Sequence, residues 1–284
     1  MNNQSLDKKY LNKEQARLFI GRSTMKVLHL SDPHLFADDT STLLGVNTDE
    51  SLLAVLDDIK RRGITPDLFV VTGDISQDYT PESYQKFVDY LAPFGKPVLS
   101  LAGNHDERPK LKRFLSQKPF SSAEQLLTEH WQLLMLNSHV PGKVHGHLAD
   151  EELSWLESCL RDNQDLPTMV FTHHHPIPVG SHWLDQIGIE NGQRLVDILS
   201  EHPQVKMCAF GHVHQSTDRR HKEVSYCSVP STCVQFKQHS VDFSASQEKP
   251  GYNLYHCNND GIISVDSFRA DSYLPSVNLA ISGY

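Results

Sequence analysis

Five short apolar segments in this chain each run straight into residues of the kind that bind metal. Leu28–Leu30 leads into Ser31-Asp32-Pro33-His34, and Leu68–Thr72 leads into Gly73-Asp74. Val98–Leu101 leads into Gly103-Asn104-His105-Asp106 and Met169–Thr172 into His173-His174-His175-Pro176. Met207–Phe210 leads into Gly211-His212-Val213-His214. Short runs rich in β-forming residues read as buried strands. Helical stretches alternate with them. Leu52, Leu53, Val55, Leu56 and Ile59 keep a 3.6-residue rhythm up to Gly63, behind a cap at Thr48 or Asp49. Thr80-Pro81 opens a second helix with Tyr84, Phe87, Val88 and Leu91 inward. Further helices are expected behind a cap at Asp150 and from Asn191, a further strand at Trp131–Leu136, and a β-rich tail after Phe210. This alternation predicts an α/β fold, in which strand C-termini share one edge and ligands gather there.

The ligand types are Asp oxygens, one Asn amide and several imidazoles, with no thiolate. Such mixed oxygen and nitrogen sites suit Mn, Fe, Zn or Co better than Ca, which prefers oxygen alone. Two carboxylates, an Asn and four His are too many for one ion. They suit two divalent ions about 3.5–4 Å apart with a shared ligand. Taken singly, Asp32-x-His34 and Gly73-Asp74 are also what plain strand-end turns offer. Gly103-Asn-His-Asp106 and Gly211-His-Val-His214 are more specific, since His at i and i+2 of an extended segment point to one side. Of His173, His174 and His175, at most one or two can touch an ion.

The formal charge of −9 gives the chain no general attraction for nucleic acid or anionic lipid, so neither is an expected partner. No apolar run approaches the roughly 18 residues of a membrane helix. Five scattered cysteines without a CxxC pair read as reduced thiols in a cytoplasmic protein. Residues 1–24 are polar and carry no motif. They are expected to be a loosely ordered leader, dispensable for catalysis, before a single domain over residues 25–284.

The ordered set Asp32-x-His34, Gly73-Asp74, Gly103-Asn104-His105-Asp106, His173 and Gly211-His212-x-His214 resembles the calcineurin-like metallophosphoesterase superfamily. Within it, Leu43–Thr48, Ser181–Gln186 and Pro230–Phe236 resemble the bacterial class III 3′,5′-cyclic AMP phosphodiesterases. The resemblance implies a four-layer αββα sandwich with a dinuclear site at the strand C-terminal edge. It implies that Asp32, His34 and His214 hold one metal, that Asn104, His173 and His212 hold the other, and that Asp74 bridges. Fe or Mn is the expected pair, with Zn and Co also suited. His174 and His175 then stand behind the ligands or face substrate.

The implied reaction is hydrolysis of cyclic AMP to 5′-AMP, with His34, Asn104, His105 and His214 at the substrate. Two divalent ions would lower the pKa of a shared, bridging water and so supply hydroxide for in-line attack. His105 is the candidate acid for the leaving 3′-oxygen, with Asp106 either orienting it or capping a helix. His182, Trp183 and Asp185 either face the nucleotide or pack as ordinary loop. Other phosphodiesters or phosphomonoesters, and a non-catalytic scaffold, are the rival readings.

Overall fold

A computed structural model describes residues 13–283. Two sheets lie face to face. Sheet I runs, edge to edge, Ile263–Arg269, Gly251–Asn258, Thr24–Leu30, Leu68–Val71, Val98–Ser100, Phe120–Ser121. Its last four strands are mutually parallel, and the first two pair antiparallel. Sheet II runs Gln15–Arg17, Gln125–Leu127, Gln132–Met135, Thr168–Thr172, Val205–Phe210, Val224–Ser228, Asp218–His221. Its core, from Gln132–Met135 to Val224–Ser228, is parallel.

The alternation of side chains along each strand sorts residues into three apolar layers. Val27, Leu68, Val70 and Leu99 of sheet I meet Leu133, Met169, Phe171 and Met207 of sheet II between the sheets. Leu28, Leu30, Phe69 and Val71 face outward onto the helices Thr48–Arg61, Pro81–Leu91 and Arg108–Phe114. Val170, Cys208 and Phe210 face outward onto Asp150–Asp162 and Gly192–Glu201. The result is the expected four-layer αββα sandwich. Strands covered on both faces explain why the runs read as continuously apolar.

Three local expectations are corrected. The first helix is capped by Asn47, whose Oδ1 accepts the Glu50 N–H at 3.0 Å, and not by Thr48 or Asp49. Asp150 lies in the first turn of its helix, with Ala149 at the cap position. The stretch before Met25 is not a loose leader throughout. Gln15–Arg17 pairs in parallel with Gln125–Leu127 at the edge of sheet II, Ala16, Leu18 and Ile20 pack on the inter-sheet layer, and Thr24 already belongs to a central strand. Residues 1–12 of the leader expected over 1–24 lie outside the described residues.

Candidate metal centre and active-site cleft

All five strand-end segments converge on one edge of the sandwich. To turn side chains inward there, the chain accepts strain. Asp32, His34, Asp74, His212 and His214 have φ of 54°, 49°, 51°, 68° and 46°, the left-handed region that side chains avoid. Backbone bonds lash the loops together: Asp32 N–H donates to Gly73 O, His34 N–H to Asp74 O, and Gly211 N–H to His173 O, at 2.9–3.1 Å. The crossing is close enough to demand glycine. A Cβ on Gly103 would stand 2.1 Å from Asp74 Oδ1 and 2.6 Å from His173 Cε1.

The donor atoms then face one another. Asp32, His34 and His214 form one cluster, and Asp74 groups with His34 on one side and His173 on the other. His34 Nε2 lies 3.2 Å from His214 Nε2. Asp74 Oδ2 lies 3.8 Å from His34 Nε2 and 3.3 Å from His173 Nε2. His173 Nε2 lies 3.1 Å from Asn104 Oδ1. His212 stands ring to ring with His173, centres 5.0 Å apart.

The far sides of the rings fix their tautomers. His173 Nδ1–H donates to Thr72 O at 2.7 Å, and His214 Nδ1–H to Val234 O at 2.8 Å. His34 Nδ1 faces Gln77 Oε1 at 2.6 Å. Each Nε2 thus points inward, where a cation would take the place of any proton it carries. His212 Nε2 is buried and has no hydrogen-bond partner among the described residues. A buried concavity of facing acceptors is unfavourable by itself and fits cations. The donor set therefore matches a pair of divalent ions.

Charge follows the same logic. Burial opposes ionisation of Asp74, yet His173, His105 and His34 hold its carboxyl well below the usual range. Burial likewise opposes charge on Asp32, and His214 and His173 together more than offset it. Burial also disfavours a proton on His173, but Asp74 and Asp32 carry it up to about 9. Burial lowers His34 to about 3 and pushes His174 and His212 far down, so these rings stay neutral.

His105 is part-buried at the mouth. Its backbone N–H donates to Asp74 Oδ1 at 2.8 Å, and its ring meets His34 edge-on at 5.1 Å. Asp106 does not act as a simple helix cap. Its carboxylate accepts the N–H groups of Gly103, Ile75 and Ser76 and the Tyr84 hydroxyl, tying two ligand loops together. Burial first, then Asp74, pushes it up to about 7. His174 groups with His173 and His212, but both its ring nitrogens are engaged, Nδ1 with Ser138 Oγ and Nε2–H with Val144 O.

The site opens into a cleft of about 890 Å³ lined by Asn104, His105 and His212. Of the residues expected near a nucleotide, Trp183 lines it. Asp185 instead holds the Val179 and Gly180 N–H groups. His182 is exposed and does not line the cleft. The 230–236 segment braces the metal loops: Ser231 Oγ donates to Asp32 O, and Phe236 lies on His214. Arg108, His139, Lys143 and Phe243 also line the cleft and were not anticipated. Asn137 and His139 follow the Gln132–Met135 strand, so the strand-end rule applied once more would have found them.

Residues 25–216 match the calcineurin-like phosphoesterase family. The chain is 38% identical over 264 residues to the 3′,5′-cyclic adenosine monophosphate phosphodiesterase CpdA of Haemophilus influenzae, covering 93% of this chain and 96% of that one. It is 37% identical over 265 residues to the Escherichia coli K12 protein of the same name, with the same coverage. Among solved structures, a purple acid phosphatase from yellow lupin aligns with a TM-score of 0.65 at 12% identity, covering 89% of this chain and 52% of that one. A dimetal phosphatase from Danio rerio aligns with a TM-score of 0.59 at 13% identity, covering 87% and 99%. At such identities these two speak for the fold. Sequence motifs, sandwich, donor cluster and relatives together place this chain in the calcineurin-like phosphoesterase family.

Proposed function

We propose that the protein hydrolyses 3′,5′-cyclic AMP to 5′-AMP with two divalent metals per chain. The observation that carries the reading is the buried cluster of facing acceptor atoms at the floor of the cleft. The near full-length likeness to cyclic AMP phosphodiesterases supports the substrate. Asp32, His34 and His214 would hold one ion and Asn104, His173 and His212 the other, with Asp74 shared. When bound, the ions supply positive charge for the phosphodiester and acidify water to a nucleophile near neutral pH. An oxygen and imidazole donor set without thiolate favours Fe or Mn, with Zn and Co accommodated.

The chain's own groups do the rest. The Thr72 and Val234 carbonyls and Gln77 hold three imidazoles in the tautomer that offers Nε2. Asp106 fixes the loops that carry Asp74 and Asn104. His105, anchored through its backbone to Asp74 and standing at the mouth, gives a proton to the leaving 3′-oxygen, which is too basic to depart as an alkoxide. Among the described residues no helix is long and apolar enough to cross a membrane. The five cysteines are free and buried. That suits the reducing cytoplasm, where we place the enzyme.

The test is a substrate panel on metal-reconstituted protein: cyclic AMP, cyclic GMP, 2′,3′-cyclic AMP and bis(p-nitrophenyl) phosphate. Hydrolysis of cyclic AMP to 5′-AMP at the highest kcat/KM is expected. Hydrolysis of only 2′,3′-cyclic AMP or the nitrophenyl ester would overturn the assignment.

A further inference from the structure

One wall of the cleft is aromatic, and it begins at a proposed metal ligand. Phe236 lies flat on the His214 ring, with centres 4.3 Å apart and planes 12° from parallel. Its backbone N–H donates to His214 O at 3.0 Å, so ring and ligand are fixed together. Trp183 and Phe243 meet the Phe236 ring edge to face at 5.1 and 5.4 Å, and each other at 5.1 Å. All three line the cleft. Phe236 is buried, whereas Trp183 and Phe243 keep surface open. Trp183 Nε1–H donates to Ser240 Oγ at 3.1 Å, which sets the indole before any ligand arrives.

None of the hydrolytic roles uses this surface. The lining of the cleft also includes the polar residues Arg108, Asn137, His139 and Lys143. A ligand that satisfies floor and wall together has an anionic end for the metal centre and a flat aromatic end for the rings. Such a wall gains most from a stacked base, and pre-set rings lose little entropy on binding it.

We propose that Trp183 and Phe243 form the base subsite, stacking the purine of the cyclic nucleotide. This rests on the cyclic-nucleotide reading above. Stacking reads ring area and not the hydrogen-bonding edge, so the subsite selects purine over pyrimidine and tolerates a changed edge.

The test is steady-state kinetics of metal-reconstituted wild type, Trp183→Ala, Trp183→Phe and Phe243→Ala on cyclic AMP and on base-free ribose 3′,5′-cyclic phosphate. In each alanine variant kcat/KM on cyclic AMP should fall about 5- to 150-fold, chiefly through KM, and far more than on the base-free ester. Trp183→Phe should recover most of the loss. Wild type should prefer cyclic AMP to cyclic CMP, and the gap should narrow in both alanine variants. Equal losses on the two esters with metal content intact would reduce the rings to shaping the cleft. No loss on either would put the base elsewhere. Each result overturns the subsite. A wild type that leaves cyclic AMP intact overturns the proposed reaction instead, before any variant is made. Binding of the fluorescent 2-aminopurine cyclic nucleotide then still reports the wall without turnover. Its emission should be quenched by wild type and not by Trp183→Ala, and absence of quenching with wild type overturns the subsite.

Discussion

Asp74 Oδ2 stands between one imidazole of each proposed metal set, His34 and His173. Removing that carboxylate would take a ligand from both ions of the proposed pair. Asp74→Ala is therefore expected to weaken both sites and abolish turnover, read by titrating metal-free protein with Mn²⁺. One site left at full affinity would make Asp74 a terminal ligand. His105→Ala should behave differently. It should keep both metals, lose about 10²–10⁴-fold on cyclic AMP, and lose much less on bis(p-nitrophenyl) phosphate, whose leaving group needs no proton. Equal losses on the two esters would assign His105 to holding phosphoryl oxygens. That these residues gather at one sheet edge was legible in the sequence, because each follows an apolar run and strand ends share that edge. Their backbone was not. Nothing in local propensity announces five side-chain-bearing residues at positive φ, since the loops around them impose that conformation. The partners of Asp106 were equally hidden, because its hydrogen bonds go to the backbone of a loop 30 residues earlier.

At the scale of elements, long periodic helices and buried strands were readable, and short edge pieces were not. Gln15–Arg17 is three residues of mixed polarity, and its pairing partner lies 110 residues away. Only the tertiary context makes it a strand. Its anchors are specific: Glu14 N–H donates to Glu124 Oε2 at 2.9 Å, Lys13 meets Glu152 at 2.6 Å, and Glu129 accepts the Ile20 and Gly21 N–H groups. A chain that starts at Met25 gives up these bonds and the part-buried Ala16, Leu18 and Ile20. It should lose about 2 kcal/mol from apolar exposure, seen as a Tm lower by roughly 4–8 °C. The strand lies at the far edge of sheet II from the strands that carry the ligands, so metal content should survive. An unchanged Tm would show that the strand contributes no net stability.

At the scale of the whole molecule, one buried imidazole beside the layer between the sheets predicts how the fold responds to acid. His29 is fully buried there, with Nδ1 3.0 Å from the Tyr255 hydroxyl and Nε2 2.8 Å from Thr72 Oγ1, so it joins two strands of sheet I to the residue that follows the Leu68–Val71 strand. Phe171 of sheet II closes on its ring at 5.5 Å. Burial lowers His29 to about 3, with Asp32 opposing only in part. The sign follows from linkage. Between pH 6.5 and 3 the unfolded chain protonates His29 and the native state does not, so the unfolded state binds more protons. The stability this neutral imidazole represents is present above pH 6.5 and is lost as pH falls towards 3. His34, His174, His175 and His212 are also lowered by burial and add to the same slope. His29→Gln keeps a group able to reach both hydroxyls and removes one proton from the balance. Urea unfolding at intervals from pH 6.5 to 5, where few carboxylates titrate, should show a shallower dependence in the variant. The difference should approach 1.4 kcal/mol per pH unit, the limit for one proton. Superimposable slopes would mean that His29 takes up its proton inside the folded core, and that the acid sensitivity arises at the metal-facing edge alone.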